Sequence, residues 1–286
     1  MQKSFLICHP GALGDFILTW PALIGLKKIF PGLRFTAVGR AETMRLALRF
    51  GLIDGFMDGE SRESIGFYAG ASLPAGVENP EGAVLWIKDG RVMRERIQET
   101  ASGPVVLIDP VPGNRIHVSR YYCKSIREQF PIDIPEALSD LFSDRRPAGR
   151  SVFIHPGSGS EKKNFSPGMF KRTAEFLRHA GWTKIWMVMG PAEIERGLPR
   201  WFPEEKLVFP KDTGSLADYL ENASLYIGND SGVSHLAGYL GIPSIVLYKT
   251  TDPAMWGVVG KKVCHVSAAG EEEAYPKLVE IIKGWI

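Results

Sequence analysis

Three short runs in the 286-residue sequence end apolar segments with side chains able to move protons or hold anions. The first is His9-Pro10-Gly11-Ala12-Leu13-Gly14-Asp15, a glycine-punctuated turn between a short apolar run and a helical pattern. At such a strand end a carboxylate at Asp15 can accept the proton of an attacking hydroxyl. The alternative is a helix cap, a position where Asp is favoured and suits the positive end of the helix dipole. The spacing is not GxGxxG, so a dinucleotide fingerprint is not supported.

The second run, His155-Pro156-Gly157-Ser158-Gly159-Ser160-Glu161-Lys162-Lys163, is built from small residues that let backbone N–H groups approach an anion. Ser158 and Ser160 add hydroxyl donors and Lys163 a point charge. No GK[ST] follows the glycines, which argues against a Walker-type phosphoryl-transfer ATPase. An ordinary solvated loop, with Ser166 as cap and Pro167 as first helical residue, fits these residues equally well.

The third run, Gly228-Asn229-Asp230-Ser231-Gly232-Val233-Ser234-His235, is the sharpest. A strand gives way to a helix start, so the N–H groups of Ser231, Gly232 and Val233 can point at a diphosphate. Asp230 would repel phosphate and is better suited to accept hydrogen bonds from sugar hydroxyls, or to cap the helix. Ser231 and Ser234 can donate to oxygens, and His235 lies one turn from Ser231 on the same face. A buried, satisfied histidine is the alternative for His235.

Two weaker features complete the set. Glu193, after Gly190-Pro191-Ala192, places a carboxylate at another strand end, where acidic residues hold ribose hydroxyls; a surface acid starting a helix is the alternative. Arg115, His117, Arg120, Lys124 and Arg127 include a stripe at helical spacing, with no acid among them, able to meet an anionic acceptor or a phospholipid surface. A solvated helix face is the usual meaning of such charges.

These runs need elements to position them, and apolar segments alternate with helical patterns along the whole chain, which is the mark of parallel α/β architecture. In the first half, strands are expected at 4–8, 34–38, 83–87 and 105–108, and helices at 15–29, 41–50, 91–101 and 117–129. Residues 59–79, rich in Gly, Ser and Glu, read as a mobile surface excursion. Periodicity fades over 131–150, with Pro131, Pro135, Pro147 and Gly149, so a linker is expected there.

In the second half, strands are expected at 151–155, 184–189, 207–209, 225–228, 244–248 and 263–266. Helices are expected at 167–180, 215–221 and 232–240, with a last one from about residue 271. The result is two Rossmann-like domains, 1–145 and 150–286, with the chemistry at strand ends and the terminal helix free to pack back on the first domain.

Composition sets the outer limits. Hydrophobic content of 44% and charged content of 23% are ordinary globular chemistry, and the length favours two domains. A net charge of +2 gives no field for non-specific nucleic-acid binding. Three cysteines without CxxC spacing point to a reducing cytosol rather than a disulfide framework. The amino-terminal apolar run is too short for a secretory leader, and no run reaches membrane-span length. Any membrane contact is therefore expected to be peripheral.

Taken together, several segments resemble glycosyltransferase family nine, the ADP-heptose:lipopolysaccharide heptosyltransferases. The stretch Gly11-Ala12-Leu13-Gly14-Asp15-Phe16-Ile17-Leu18-Thr19-Trp20-Pro21-Ala22-Leu23, with Phe30-Pro31-Gly32, is similar to that family's opening. Asp230-Ser231-Gly232-Val233-Ser234-His235-Leu236-Ala237 and Leu240-Gly241-Ile242-Pro243 match its donor-site signature, continued by Thr251-Asp252-Pro253 and Trp256. Two departures stand out: the chain is short for the family, and Lys249 follows Tyr248 where glycine is usual.

The resemblance implies a GT-B fold, two Rossmann-like domains facing a central cleft, with the nucleotide-diphosphate sugar held by the C-terminal domain and the acceptor by the N-terminal one. Carried over, Asp15 is the general base. Ser158, Ser160 and Lys163 contact the diphosphate, Glu193 the ribose and Asp230 the sugar, with Ser231, Gly232, Val233, Ser234 and His235 completing the donor site. Arg115, Arg120 and Lys124 are the acceptor-side candidates.

The implied activity is inverting transfer of a heptose or related sugar to a lipopolysaccharide-type or other glycan acceptor. It needs no cofactor and no metal, uses an ADP-linked donor, and takes place at the cytoplasmic face of the inner membrane. The rivals are a nucleotide-sugar epimerase or hydrolase of the same fold, and a sugar-nucleotide-binding protein without catalysis.

Overall fold

The computed structural model describes residues 3–142, 149–203 and 205–285. The chain divides into two compact units, Met1–Glu136 and Ala137–Ile286. The break falls within the expected linker, of which 143–148, with Pro147, lie outside the described residues.

The first unit is a five-stranded parallel sheet: β1 (Ser4–His9), β2 (Arg34–Gly39), β3 (Gly55–Asp58), β4 (Ala83–Trp86) and β5 (Val105–Ile108), in the order β3-β2-β1-β4-β5. Every residue of β1 is buried, as a central parallel strand covered on both faces requires. On one face, Phe5 packs with Phe30, Phe35 and Phe130, its ring centroids 5.0–5.6 Å from theirs. On the other, Leu6 and Cys8 join Val38, Phe67, Leu85, Met93 and Ile97.

The helices of this unit are α1 (Leu13–Ile17), α2 (Trp20–Ile29), α3 (Ala41–Arg49), α4 (Ser64–Tyr68), α5 (Arg91–Thr100) and α6 (Val118–Arg127). The single helix expected over 15–29 is two. Pro21 has no N–H to donate one turn back, so a new helix starts with Thr19 as its N-cap residue and Pro21 in its first turn. The Thr19 hydroxyl closes the break by donating to the Phe16 carbonyl at 2.7 Å.

The stretch read as a mobile excursion, 59–79, contains α4, whose Phe67 is buried in the core. The strand β3 was not expected, because four half-exposed residues without a β-branched side chain leave little pattern.

The second unit is a six-stranded parallel sheet: β6 (Ser151–His155), β7 (Lys184–Val188), β8 (Lys206–Val208), β9 (Leu225–Asn229), β10 (Ser244–Tyr248) and β11 (Val263–Ser267), in the order β11-β10-β9-β6-β7-β8. Its helices are α7 (Pro167–His179), α8 (Pro191–Glu195), α9 (Thr213–Leu220), α10 (Gly232–Tyr239), α11 (Pro253–Trp256) and α12 (Glu271–Trp285).

Ser166 caps α7 by accepting the Met169 N–H at 3.3 Å, with Pro167 as first helical residue. Gly241, at φ +72°, ends α10 in the left-handed region that favours glycine. The terminal helix packs within its own unit: Ala274, Leu278 and Ile282 belong to the core built on β6, β9, β10 and α7. Among the described residues no helix is long and apolar enough to cross a membrane.

Candidate functional site

In the second sheet the chain winds outward from β6 through β7 to β8, then returns to β9 and winds the other way. The loops leaving β6 and β9 therefore diverge at adjacent carboxyl ends, the switch point at which doubly wound sheets take ligands. His155 closes β6 opposite Gly228 of β9, so the loop after 155 and the turn 229–232 are neighbours. Residues 64 to 76 positions apart thus meet because the topology reverses between their strands.

The contacts between the runs are polar and specific. The Lys163 ammonium lies 2.9 Å from Oδ2 of Asp230, and Nε2 of His235 lies 3.9 Å from its Oδ1. Asp230 and His235 are buried, while the Lys163 side chain is 39% exposed, so the charge sits at the rim. Asn229 holds the floor: its Oδ1 accepts the Phe165 N–H at 3.2 Å and its Nδ2 donates to the Pro156 carbonyl at 2.7 Å.

Ser231, not Asp230, is the N-cap residue of α10. Its hydroxyl oxygen accepts the Ser234 N–H at 3.3 Å. The amides of Gly232 and Val233, at the first positions of that helix, have no carbonyl one turn earlier within it, so they form a positive cradle at its mouth.

Beneath the cradle runs a buried polar chain. Nδ1 of His155 is 3.2 Å from the Ser231 hydroxyl, and its Nε2 is 3.5 Å from Oε2 of Glu193, which also accepts the Gly190 N–H at 2.8 Å. Ser234 donates to the Asn229 carbonyl at 2.6 Å and meets the Tyr226 hydroxyl at 2.9 Å. Burial works to raise the Glu193 carboxyl, but the hydrogen bonds from His155 and from the Gly190 N–H outweigh it and hold the group below its ordinary value. Burial pushes the Tyr226 phenol up, so it stays neutral.

Two expected donor contacts are placed otherwise than as outward-facing groups. Glu193, expected at the ribose, is 4% exposed and committed to Gly190 and His155. Ser158, expected at the diphosphate, is 3% exposed, its hydroxyl within 2.8 Å of the Ser160 carbonyl and 2.6 Å of Oδ1 of Asn164. Ser158 therefore shapes the loop, and Ser160 and Lys163 stand nearer its surface. Arg196 clips the same loop, donating to the Ser158 carbonyl at 2.8 Å and pairing with Glu161.

In the first unit the strand order also reverses, beside β1 and β4. Asp15 is exposed at the third position of α1, and Ala12 is the N-cap residue without a side-chain cap, so the capping alternative for Asp15 does not hold at the N-cap. Its carboxylate would still profit from the dipole at the helix start.

His9 ends β1 and is 2% exposed, its ring packed on Phe16 and Trp86. Burial pushes its pKa down to about 3, so the ring is neutral near pH 7. The basic stripe of α6 is partly engaged at home. His117 is the N-cap residue, accepting the Ser119 N–H; Arg120 donates to the Pro135 carbonyl at 3.0 Å and Arg127 to that of Ile132 at 3.1 Å. Arg115 and Lys124 are exposed.

Sequence reasoning missed His155, Asn229, Tyr226, Arg196 and His9 as members of these sites. His9, His155 and Asn229 share a legible signal, since each is the polar last residue of an otherwise apolar strand. Among the described residues no group of three or more His, Cys, Asp or Glu side chains is placed to hold a metal ion.

The model of glycosyltransferase family 9 (heptosyltransferase) matches residues 121–284. Lipopolysaccharide heptosyltransferase 1 of Pseudomonas aeruginosa is 26% identical over 144 residues, 47% of this chain and 40% of that protein, so the match spans well under two thirds of this relative. Among solved structures, E. coli heptosyltransferase WaaC with ADP is similar at a TM-score of 0.75 and 17% identity, covering 99% of both chains. A family 9 glycosyl transferase from Veillonella parvula gives 0.72 and 18%, covering 100% of this chain and 90% of the other. These likenesses bear out the expected α/β class and the GT-B fold of two Rossmann-like domains. With the family model matched from α6 into α12, over more than half its length, the chain belongs to glycosyltransferase family 9, the heptosyltransferases.

Proposed function

We propose that this chain transfers a heptose or related sugar from a nucleotide diphosphate, ADP-linked, onto a lipopolysaccharide-type or other glycan acceptor, with inversion and without a metal. The observation that carries the reading is the meeting of the Lys163 loop and the α10 N-terminus at the switch point of the second sheet. A lysine and a set of aimed backbone amides can receive the charge of a departing diphosphate in a metal's place. The ADP bound in the structure of E. coli WaaC supports the choice of base. Asp230, held by Lys163, accepts sugar hydroxyls, and Ser160 donates to the diphosphate.

In the proposed step, an acceptor oxygen bonds to the anomeric carbon as the bond from that carbon to the diphosphate oxygen breaks. The electron pair leaves on the diphosphate and the hydroxyl proton passes to Asp15. Arg115 and Lys124, exposed on the first unit, attract an anionic acceptor. A lipid-linked acceptor is met from the cytoplasmic side, with peripheral contact to the inner membrane.

The test is a transfer assay with ADP-heptose and a heptose-deficient lipopolysaccharide core, run with and without EDTA. The expected outcome is product with inverted anomeric configuration, at a rate EDTA leaves unchanged. Asp15→Ala should lower turnover by about 10²–10⁴, the usual contribution of a positioned base, with ADP affinity held. Parental turnover in that variant removes Asp15 from the mechanism. Rapid release of free or epimerised sugar from donor alone would favour the epimerase or hydrolase reading, and binding without product from any acceptor would favour the non-catalytic one.

A further inference from the structure

His155 ties three separate segments together from a position that is 3% exposed: it ends β6, meets Glu193 of the β7–α8 turn through Nε2, and meets Ser231, the cap of α10, through Nδ1. The directions of these bonds follow from what each group can do. A carboxylate only accepts, so Nε2 carries the hydrogen that faces Glu193. In a neutral ring Nδ1 is then an acceptor, and the Ser231 hydroxyl donates to it. The Ser231 oxygen keeps its lone pairs for the Ser234 N–H, 3.3 Å away, which is the capping bond of α10.

The packing around Glu193 leaves it little choice of position. A Cβ at Gly157 would overlap its carboxyl group, so the loop after β6 closes directly over it. The carboxylate, the ring and the hydroxyl thus form a directed series whose far end is the helix start proposed to receive the diphosphate. Other ionisable groups lie close by: Tyr226 on β9, in the electrostatic reach of both Glu193 and Asp230, then Asp230 and His235.

We propose that His155 is a positioning residue of the donor site: Glu193 fixes its tautomer, and its Nδ1 draws the Ser231 hydroxyl inward so that the cap is set and the Gly232 and Val233 amides aim at the diphosphate. The inference rests on the donor reading of that helix start. It assigns Ser231 a role different from direct donation to phosphate, because its one hydroxyl hydrogen is spent on the ring.

The two ring nitrogens can be replaced separately. His155→Asn brings an amide oxygen near the Nδ1 position and can keep the Ser231 bond, while His155→Gln reaches toward Nε2 and keeps the Glu193 bond. Titrating ADP into the whole protein by calorimetry, we expect His155→Gln to weaken binding about tenfold, as loss of one buried hydrogen bond does, and His155→Asn to hold within about threefold of the parent. In a Ser231→Ala background, His155→Gln should cost nothing further.

A purely space-filling role predicts the reverse order, since Gln fills the ring's volume better than Asn, and additive losses with Ser231→Ala; either result overturns the inference. Should the His155 variants not fold, ¹⁵N NMR of the parent decides. The expected pattern is a protonated Nε2 and a bare Nδ1, and the opposite tautomer or a doubly protonated ring overturns it. A parent that binds none of ADP, GDP, UDP or CDP overturns the donor reading and this inference together, whereas a parent that binds, with additive variants, overturns this inference alone.

Discussion

His9 shows how one buried side chain links chemistry to stability. Its ring stays neutral in the fold, with a pKa pushed down from 6.5 to about 3, because burial disfavours the charged form. In the unfolded chain the ring protonates near its ordinary value, so between about pH 6.5 and 3 the unfolded state binds more protons. Stability is therefore lost as pH falls through that window, by about 1.4 kcal/mol per pH unit for one such group. Glu193 acts in the same direction lower down, its depressed carboxyl contributing stability that disappears as pH falls through its folded value. Denaturant unfolding of His9→Gln between pH 6.5 and 4.5 should show a slope smaller than the parent's by about that amount. Equal slopes would mean that His9 titrates in the fold as it does in water.

At the scale of elements, the strand-to-helix connections of the second unit do the positioning. The loop after β6 reaches Lys163 through a 3-10 turn, and small residues let it lie directly on the β7–α8 turn. A Cβ at Gly157 would meet the Glu193 carboxyl, while one at Gly159 would meet nothing within 4 Å. Gly157→Ala should then destabilise by about 1–3 kcal/mol, the cost of overpacking, and weaken ADP binding by displacing Glu193. Gly159→Ala is the matched control, expected within about 0.5 kcal/mol of the parent, as for surface changes away from packed features. Indistinguishable melting of the two variants would refute the close packing of loop on carboxylate.

For the whole molecule, each unit has its own sheet and its own apolar core, so each is a candidate cooperative unit. The proposed donor groups all lie in the second. A ligand that binds only a folded unit stabilises that unit, by about 2.7 kcal/mol at one hundred times its Kd. We expect ADP at that excess to slow hydrogen exchange across β6, β9 and α10 while leaving β1, β2 and β4 nearly unchanged. Equal protection in both sheets would contradict a donor site confined to the second unit.

The alternating apolar pattern, the proline and glycine stops and the three polar runs are local properties, so the α/β class, most strands and helices and the runs that carry Lys163, Asp230 and Ser231, the residues proposed for the donor, were readable along the chain. The break at Pro21 was written there too, and outweighed by a helical pattern that continued past it. The strand β3 was beyond reach, because four half-exposed residues owe their conformation to pairing with β2. Partnership is the part that only the tertiary structure decided. Parallel pairing of β6 with β9 sets His155 beside Ser231 and Lys163 against Asp230, and turns Glu193 and Ser158 inward. Residues 67 or more positions apart leave no periodic trace of such a meeting, since it is produced by strand order and not by any neighbour in sequence.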